Sequence, residues 1–322
     1  MFTLLLKTVP EAWLTLCGMI VCFAGVFAVL TLFRDKLPRD QGREFAVAGQ
    51  LSQGKPRGAG IVFVAALIVA ALLFAPISIE MVIYLVLTAA AMMTGFLDDA
   101  AAMPWGELKK GLLDAAIAII AAITYVAFNG SDVTLALTGT VVHLPAVVYC
   151  LLAIVLIWVS INVTNCSDGV DGLSGTLSIV TMMSFYFMNS YRGMSPDMNP
   201  VILMFVMGLV SYLWFNATPS LLMMGDAGSR AMGFFIAILA MRSGDPFMFI
   251  PLALILILDG GLGLIKVSLL RFLKISIMKT IRTPLHDHVR KNRDWSNTQA
   301  VFRFAIIQIA ISVFFLFIIK GM

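Results

Sequence analysis

Long apolar runs, each bounded by a few polar residues, constrain this 322-residue chain more than any other feature of its sequence. A helix that crosses a bilayer needs roughly 20 apolar residues, and soluble domains carry about 25% charged residues. In this chain 60% of the residues are hydrophobic and 12% are charged. We therefore predict an all-α integral membrane protein, with residues 1–322 forming a single polytopic membrane domain.

The hydropathy pattern divides the chain into ten predicted transmembrane helices. They cover about 12–33, 58–76, 80–97, 111–129, 144–161, 173–191, 200–216, 229–241, 247–270 and 299–320. Of the 22 Lys and Arg residues, all but Lys7, Arg192, Arg242 and Lys320 lie in or beside the connections after odd-numbered helices. Because basic residues accumulate on the cytoplasmic side, we expect both termini to be extracytoplasmic, in a multi-pass protein of the cell membrane.

The segment Asn162–Gly172 places two carboxylates, Asp168 and Asp171, between two apolar runs. Acidic residues beside a membrane core are costly without a partner, so they are candidates for a functional site. If the segment is helical, their spacing puts them on one face. The alternative is a polar connecting loop in which Asp and Ser cap the neighbouring helices.

Two adjacent carboxylates, Asp98 and Asp99, end the third predicted helix. They repel each other unless a cation or a proton lies near. Adjacent helical residues point about 100° apart, so we expect one Asp to face the site and the other to cap or orient it. A solvated pair at a helix end is the alternative. Lys109 and Lys110 follow at the start of the next helix, where an ammonium group can screen a phosphate. The alternative is that this Lys pair only sets the orientation of the helix in the membrane.

Asp226 lies between glycines in the segment Met224–Ser229, at the start of a predicted helix. Exposed N–H groups and the helix dipole favour an anion at such a place. Mg²⁺ prefers one or two carboxylates together with waters and phosphate oxygens. This combination predicts Mg²⁺ held between Asp226 and a bound phosphate. All of the polar clusters are predicted to face the cytoplasm, which places the active site on that face.

His286 and His288 lie in a basic loop after the ninth predicted helix. Their spacing does not suit a zinc site formed by these two alone, and donation to a diphosphate suits them better. Asp259 lies well inside an apolar run and should face the bundle interior, either in a structural ion pair or at the site.

Taken in chain order, these segments resemble the polyprenyl-phosphate N-acetylhexosamine-1-phosphate transferase superfamily, the glycosyltransferase 4 family. They are most similar to the phospho-N-acetylmuramoyl-pentapeptide transferases within it. The matching segments are Gly95–Asp99 with Lys110, Asn162–Leu173, Asn216, Met224–Ser229, and Pro284–His288 with Trp295. The resemblance extends over essentially the whole chain and implies ten helices.

The resemblance implies a Mg²⁺-dependent transfer of phospho-N-acetylmuramoyl-pentapeptide from a UDP-sugar to undecaprenyl phosphate, giving lipid I and UMP. Its partners are these substrates and the lipid bilayer, without nucleic acid, and a homodimer is compatible with it. The expected metal ligand is Asp226. The expected catalytic residues are Asp98, Asp99, Asp168 and His286. The expected substrate-binding residues are Arg57, Lys110, Asn165, Asp171, Asn216 and His288.

Several positions depart from the pattern of the muramoyl enzymes. Asp287 replaces the middle histidine of a triple, and Met223 stands where a phenylalanine is usual. Arg57 and Asp259 are more similar to the sister enzymes that transfer N-acetylglucosamine 1-phosphate, which are the alternative. A cation-coupled transporter is a further alternative, because transporters also hold intramembrane carboxylates. Transporters more often place them near the midplane.

Overall fold

The computed structural model describes residues 9–40, 42, 52–101, 103 and 105–321, and it is mostly helical. The helices are α1 Glu11–Phe33, α2 Gly60–Phe74, α3 Ile79–Asp99, α4 Glu107–Asn129, α5 Ala146–Cys166, α6 Leu173–Arg192, α7 Met198–Asn216, α8 Gly225–Arg242, α9 Pro246–Leu252, α10 Leu254–Leu273, α11 Leu285–Asn292 and α12 Asn297–Lys320. Each predicted helix overlaps one of these or the pair α9 and α10.

Six helices in the described ranges are long and apolar enough to cross a membrane, and the pair α9–α10 makes a seventh if it is one bent span. The six are α1, α3, α4, α5, α7 and α12. Helix α2 is also apolar, but with 15 residues it is shorter than these six helices. The chain is therefore an all-α membrane protein with several passes.

Helix α8 is the centre of the bundle. Every residue from Gly225 to Met241 is buried, and α8 packs against α2, α3 and α5. Small residues allow these helices to approach closely. A Cβ at Gly60 would overlap the backbone of Gly228, and a Cβ at Gly95 would overlap the backbone of Asp226. The start of α8 is thereby fixed against the end of α3.

The single helix predicted over 247–270 is wrong, because the chain bends by 74° between α9 and α10. Ala253 at the break has φ −123° and ψ 20°, which is not helical. Just after it, Gln308 of α12 accepts a hydrogen bond from Ile255 N (2.8 Å) and donates one to Pro251 O (3.0 Å). A side chain from another helix thus satisfies backbone groups that the bend frees.

The far end of α8 is held by a second polar network. Arg242 binds Glu80 at 2.8 Å and Asp197 at 2.8 and 2.9 Å. A two-stranded hairpin, β1 Asp132–Thr134 and β2 Val141–His143, lies beside it and is the one sheet in the described residues. The Thr134 N–H donates to the Gly244 carbonyl (2.9 Å), which joins the hairpin to the turn after α8.

Candidate active site

Arg57 is held in place by backbone hydrogen bonds on both sides of it. Met223 N donates to Pro56 O (2.8 Å), Ala59 N donates to Met223 O (3.1 Å), and Gly60 N donates to Met224 O (3.0 Å). The connection between α1 and α2 is thereby joined to the segment that leads into α8. This pairing brings Arg57 to the first turn of α8.

The Arg57 guanidinium bridges three carboxylates from different parts of the chain. Nη2 lies 2.8 Å from Asp99 and 3.2 Å from Asp226, and Nη1 lies 3.2 Å from Asp40. Burial lowers the pKa of Arg57, but the negative charges of its three partners together exceed this effect and raise that pKa. Arg57 is therefore a permanent positive charge at the centre of the cluster.

Lys110 is the second cation of the cluster. Its ammonium group contacts Asp98 and lies 3.5 Å from Asp226 Oδ2. The other oxygen of Asp98 accepts a hydrogen bond from Trp105 N (2.7 Å), which fixes the carboxylate. Both residues of the pair Asp98–Asp99 are buried against a cation of the same cluster, so the alternative of a solvated pair at a helix end is wrong.

Asp226 stands in the first turn of α8, where the helix begins at Gly225 rather than at the predicted residue 229. Gly225 has φ +68°, a conformation that favours glycine, and a side chain there would meet the Asp99 carboxylate. Asp99 also accepts a hydrogen bond from Ala227 N (3.3 Å), one of the free N–H groups at the helix start. The two carboxylates are therefore close neighbours across α3 and α8.

His286 is buried, and its orientation is set by Asp259. The two oxygens of Asp259 accept hydrogen bonds from the His286 backbone N (2.7 Å) and Nδ1 (2.8 Å). Nε2 then faces Gly169, where a Cβ would overlap the imidazole ring, and lies 3.9 Å from Asp287. Asp259 itself lies in a π-helical turn of α10, at 257–261. Asp259 is thus paired inside the bundle, as expected, and its participation in the site stays a prediction.

The sequence profile described as Glycosyl transferase family 4 matches residues 81–244, which include α3 through α8. The chain is 38% identical over 319 residues to a phospho-N-acetylmuramoyl-pentapeptide-transferase of Treponema pallidum (strain Nichols), covering 92% of this chain and 88% of that protein. It belongs to glycosyl transferase family 4. A second relative of the same name, from Symbiobacterium thermophilum, is 29% identical over 80% of each chain. The resemblance carried by the motifs is confirmed, and the chain is a transferase.

Two residues of the family 4 motifs brace the connections that surround the site. Asp171 accepts hydrogen bonds from Ser220 Oγ (2.8 Å) and Ser220 N (3.2 Å). Lys55 in turn donates to Ser220 Oγ (3.0 Å). Asn216 accepts from Gly172 N (2.8 Å) and donates to Leu222 O (2.9 Å). The backbone that leads into Asp226 is thereby tied to the turn after α5, and contact of these residues with substrate stays a prediction.

Of the remaining predicted residues of the family 4 motifs, Asn165 and Asp168 adjoin the cluster, and His288 lies in α11. Asn165 is in the last turn of α5 and donates to Ser229 Oγ of α8 (2.9 Å). Asp168 lies in the turn that follows rather than on a helix, and its charge contributes to the raised pKa of Arg57. His288 Nδ1 accepts a hydrogen bond from Arg282 N (3.3 Å) on the outer side of α11. A catalytic role for Asp168 and substrate binding by Asn165 and His288 stay predictions.

The donor set of this family 4 protein suits Mg²⁺. Four carboxylates surround two cations, Arg57 and Lys110, which leaves an excess of negative charge. The four are Asp40, Asp98, Asp99 and Asp226. Across the part of the chain that the structure describes, no three Asp, Glu, His and Cys side chains form a ready metal cage. Mg²⁺ needs none, because it takes one or two carboxylates and completes its shell with water and phosphate oxygens.

Two features of the site were missed at the sequence level. Asp40 binds Arg57, and Asp114 of α4 forms a buried ion pair with Arg230 of α8. For the ion pair a signal existed, because Asp114 follows Lys110 by four residues and Arg230 follows Asp226 by four. Residues at this spacing share a helix face. For Asp40 the sequence holds no such signal, since a fold-dependent backbone pairing brings it to Arg57.

Proposed function

We propose that this transferase moves phospho-N-acetylmuramoyl-pentapeptide from its UDP-linked form to undecaprenyl phosphate, giving lipid I and UMP in peptidoglycan synthesis. Relatives at 38% and 29% identity that carry the corresponding name support this substrate pair. The observation that carries the proposal is the convergence of Arg57 and Lys110 on Asp226, beside Asp98 and Asp99. These groups come from four separated parts of the chain.

The reaction exchanges one phosphorus–oxygen bond for another. An oxygen of the lipid phosphate bonds to the β-phosphorus of the UDP-sugar, and the bond from that phosphorus to the bridging oxygen breaks. The electron pair of that bond leaves with UMP. Because both reactants are anionic, fixed positive charge is the main requirement of the site. Arg57 and Lys110 would supply part of this charge, held in place by carboxylates of α3 and α8, and a bound Mg²⁺ would supply the rest.

Asp226 is the proposed ligand for Mg²⁺, which would share the diphosphate oxygens and neutralise their charge. The helix start at Gly225–Ala227 adds N–H groups and a favourable dipole on the same side. Asp98, fixed by Trp105 N, is the proposed group that orients or deprotonates the lipid phosphate. Lys110 between Asp98 and Asp226 would then adjoin both reactants.

As an imidazolium, which donates from both ring nitrogens, His286 is the proposed donor to the diphosphate through Nε2. Its Nδ1 donates a hydrogen bond to Asp259. Gly169, next to Asp168 in the chain, has no side chain and so leaves room for the imidazole ring. Asp259 therefore orients the imidazole, as a carboxylate behind a histidine commonly does. Asp168 and Asp171, with Asn165 and Asn216, would position the nucleoside and the sugar phosphate.

The proposed topology has ten spans, with both termini extracytoplasmic and the carboxylate cluster at the cytoplasmic face of the bacterial inner membrane. Support comes from the basic residues of the sequence, which concentrate in the connections on the side of Arg57 and Lys110. A soluble nucleotide-sugar would reach the cluster from the cytoplasm. The lipid phosphate would reach it from the membrane surface.

A release assay with two donors tests the proposal. Purified protein in detergent, with undecaprenyl phosphate and Mg²⁺, is given UDP-N-acetylmuramoyl-pentapeptide or UDP-N-acetylglucosamine, and UMP is measured. We expect UMP from the muramoyl donor only, and its loss when EDTA removes the metal. Turnover of UDP-N-acetylglucosamine alone would assign the chain to the sister enzymes that transfer N-acetylglucosamine 1-phosphate. The presence of Arg57 is a similarity to those enzymes. No UMP from either donor would exclude both functions.

A further inference from the structure

A second ion pair lies one helical turn below the cluster. Asp114 of α4 and Arg230 of α8 are both buried, with 1% and 5% of their surface exposed, and they contact each other. The proposed reaction uses neither of them. The Arg230 Nε has no hydrogen-bond partner in the described residues, so this guanidinium has donor capacity left over.

The two ion pairs form parallel rungs between the same two helices. The upper rung joins Lys110 of α4 to Asp226 of α8, and the lower rung joins Asp114 of α4 to Arg230 of α8. Each helix therefore carries one positive and one negative charge at a spacing of four residues, on one face. Helix α4 packs mainly against α3 and α5, so these charged side chains are what it directs at α8.

This arrangement leaves each charge with a competing partner on its own helix. Without Asp114, the nearest carboxylate along α8 for Arg230 is Asp226, four residues before it. Without Arg230, the nearest cation along α4 for Asp114 is Lys110, four residues before it. Loss of one buried partner leaves an unpaired charge, which has a strong tendency to find a new one. Loss of Asp114 would therefore draw Asp226 towards Arg230, and loss of Arg230 would draw Lys110 towards Asp114.

We propose that Asp114 and Arg230 are positioning residues, which keep Asp226 and Lys110 available to substrate by satisfying each other. The lower rung neutralises two buried charges that would otherwise pair within their own helices. This role rests on the proposed function of Asp226 and Lys110. It requires that the charges of Asp114 and Arg230 cancel, so that neither pairs with Asp226 or Lys110.

Two double variants separate this role from simple stabilisation. Asp114→Asn with Arg230→Met removes both charges of the lower rung, so neither of them competes for Asp226 or Lys110. Asp114→Arg with Arg230→Asp keeps an ion pair between the helices but places like charges four residues apart on each. If the pair only stabilises the fold, the swapped variant should work as well as wild type. If it positions the site, the swapped variant should fail.

We expect kcat/KM for UMP release to stay within about threefold of wild type in the neutral double variant and to fall by about 100-fold in the swapped one. The single variants Asp114→Asn and Arg230→Met should fall by about tenfold. The affinity of each variant for UDP-N-acetylmuramoyl-pentapeptide, measured by titration calorimetry without turnover, should rank the variants in the same order as kcat/KM. Arg242→Met breaks the partly buried ion pairs with Glu80 and Asp197 at the far end of α8 and is the control, with a lower Tm and unchanged KM.

Equal activity and equal affinity in the two double variants would overturn the positioning role. So would single variants that lose Tm as the control does but keep the kcat and KM of wild type. The two double variants decide the question even if the single variants do not fold. Absence of turnover in wild type would instead count against the proposed function, so the two failures are distinguishable.

Discussion

The guanidinium of Arg57 lies 3.2 Å from the carboxylate of Asp226, although the two residues are 169 positions apart in the chain. The same nitrogen lies 2.8 Å from Asp99. One side chain from the connection between α1 and α2 therefore joins the end of α3 to the start of α8. Its planar fork of donors suits this task, because it can bind several carboxylates at once.

Replacement of Arg57 by Met should reduce kcat/KM for UMP release by about 100-fold, because three carboxylates lose their shared cation. Arg57→Lys should recover only part of this loss, since an ammonium group is a point charge and cannot span three partners. Arg39→Met is the matched control, because Arg39 is exposed and its ion pair is with Asp35 in the same connection. Full activity in Arg57→Met would exclude a role for this cation.

Asp226→Asn should abolish Mg²⁺-stimulated UMP release, with a loss of about 1000-fold or more, because the amide carries no charge for the metal. The same change at Asp98 should lower kcat and leave the dependence on Mg²⁺ concentration near that of wild type. Activity would be measured over a titration of Mg²⁺ for both variants. If both titrations shift together, the assignment of the metal to Asp226 alone is wrong.

Asp259→Asn should lower kcat by about 10- to 100-fold while the protein stays folded, because the amide no longer fixes the imidazole of His286 in one orientation. His286→Gln should lose at least as much. Only a small further loss is expected when the two changes are combined, since they act on one unit. His143→Gln, in the exposed hairpin, is the control. Additive losses would mean that Asp259 acts independently of His286.

Gly95→Ala should destabilise the protein by about 1–3 kcal/mol and reduce activity, because the added methyl group overlaps the backbone of Asp226. Gly25→Ala in α1 is the control, since its added methyl group meets open space. Alanine favours a helix over glycine by roughly 0.5–1 kcal/mol, so this control should be neutral or stabilising. The measurement is Tm in detergent. Equal Tm values for the two variants would contradict the close packing of α3 on α8.

Much of the fold follows from local rules that the sequence carries. Apolar runs fix the helices, and Ser296 with Gln299 marks the start of α12 through a capping box. The helix ends that carry the site are less well predicted, because polar residues there continue the helix. Examples are Asn165, inside α5, and Asp226, inside α8. Hydropathy does not predict the helical turns at the end of α5 and the start of α8, because these turns contain polar residues.

By itself, the sequence determined that this chain is a helical membrane protein, that it belongs to glycosyl transferase family 4, and which motifs carry its polar residues. The tertiary structure decided which charges meet. Arg57 reaches Asp226 through backbone pairing with Met223 and Met224, and Asp259 reaches His286 because α11 packs against the π-helical turn of α10. The physical reason is that a buried charge takes its partner from whichever helix packs beside it, and a local pattern does not contain that packing.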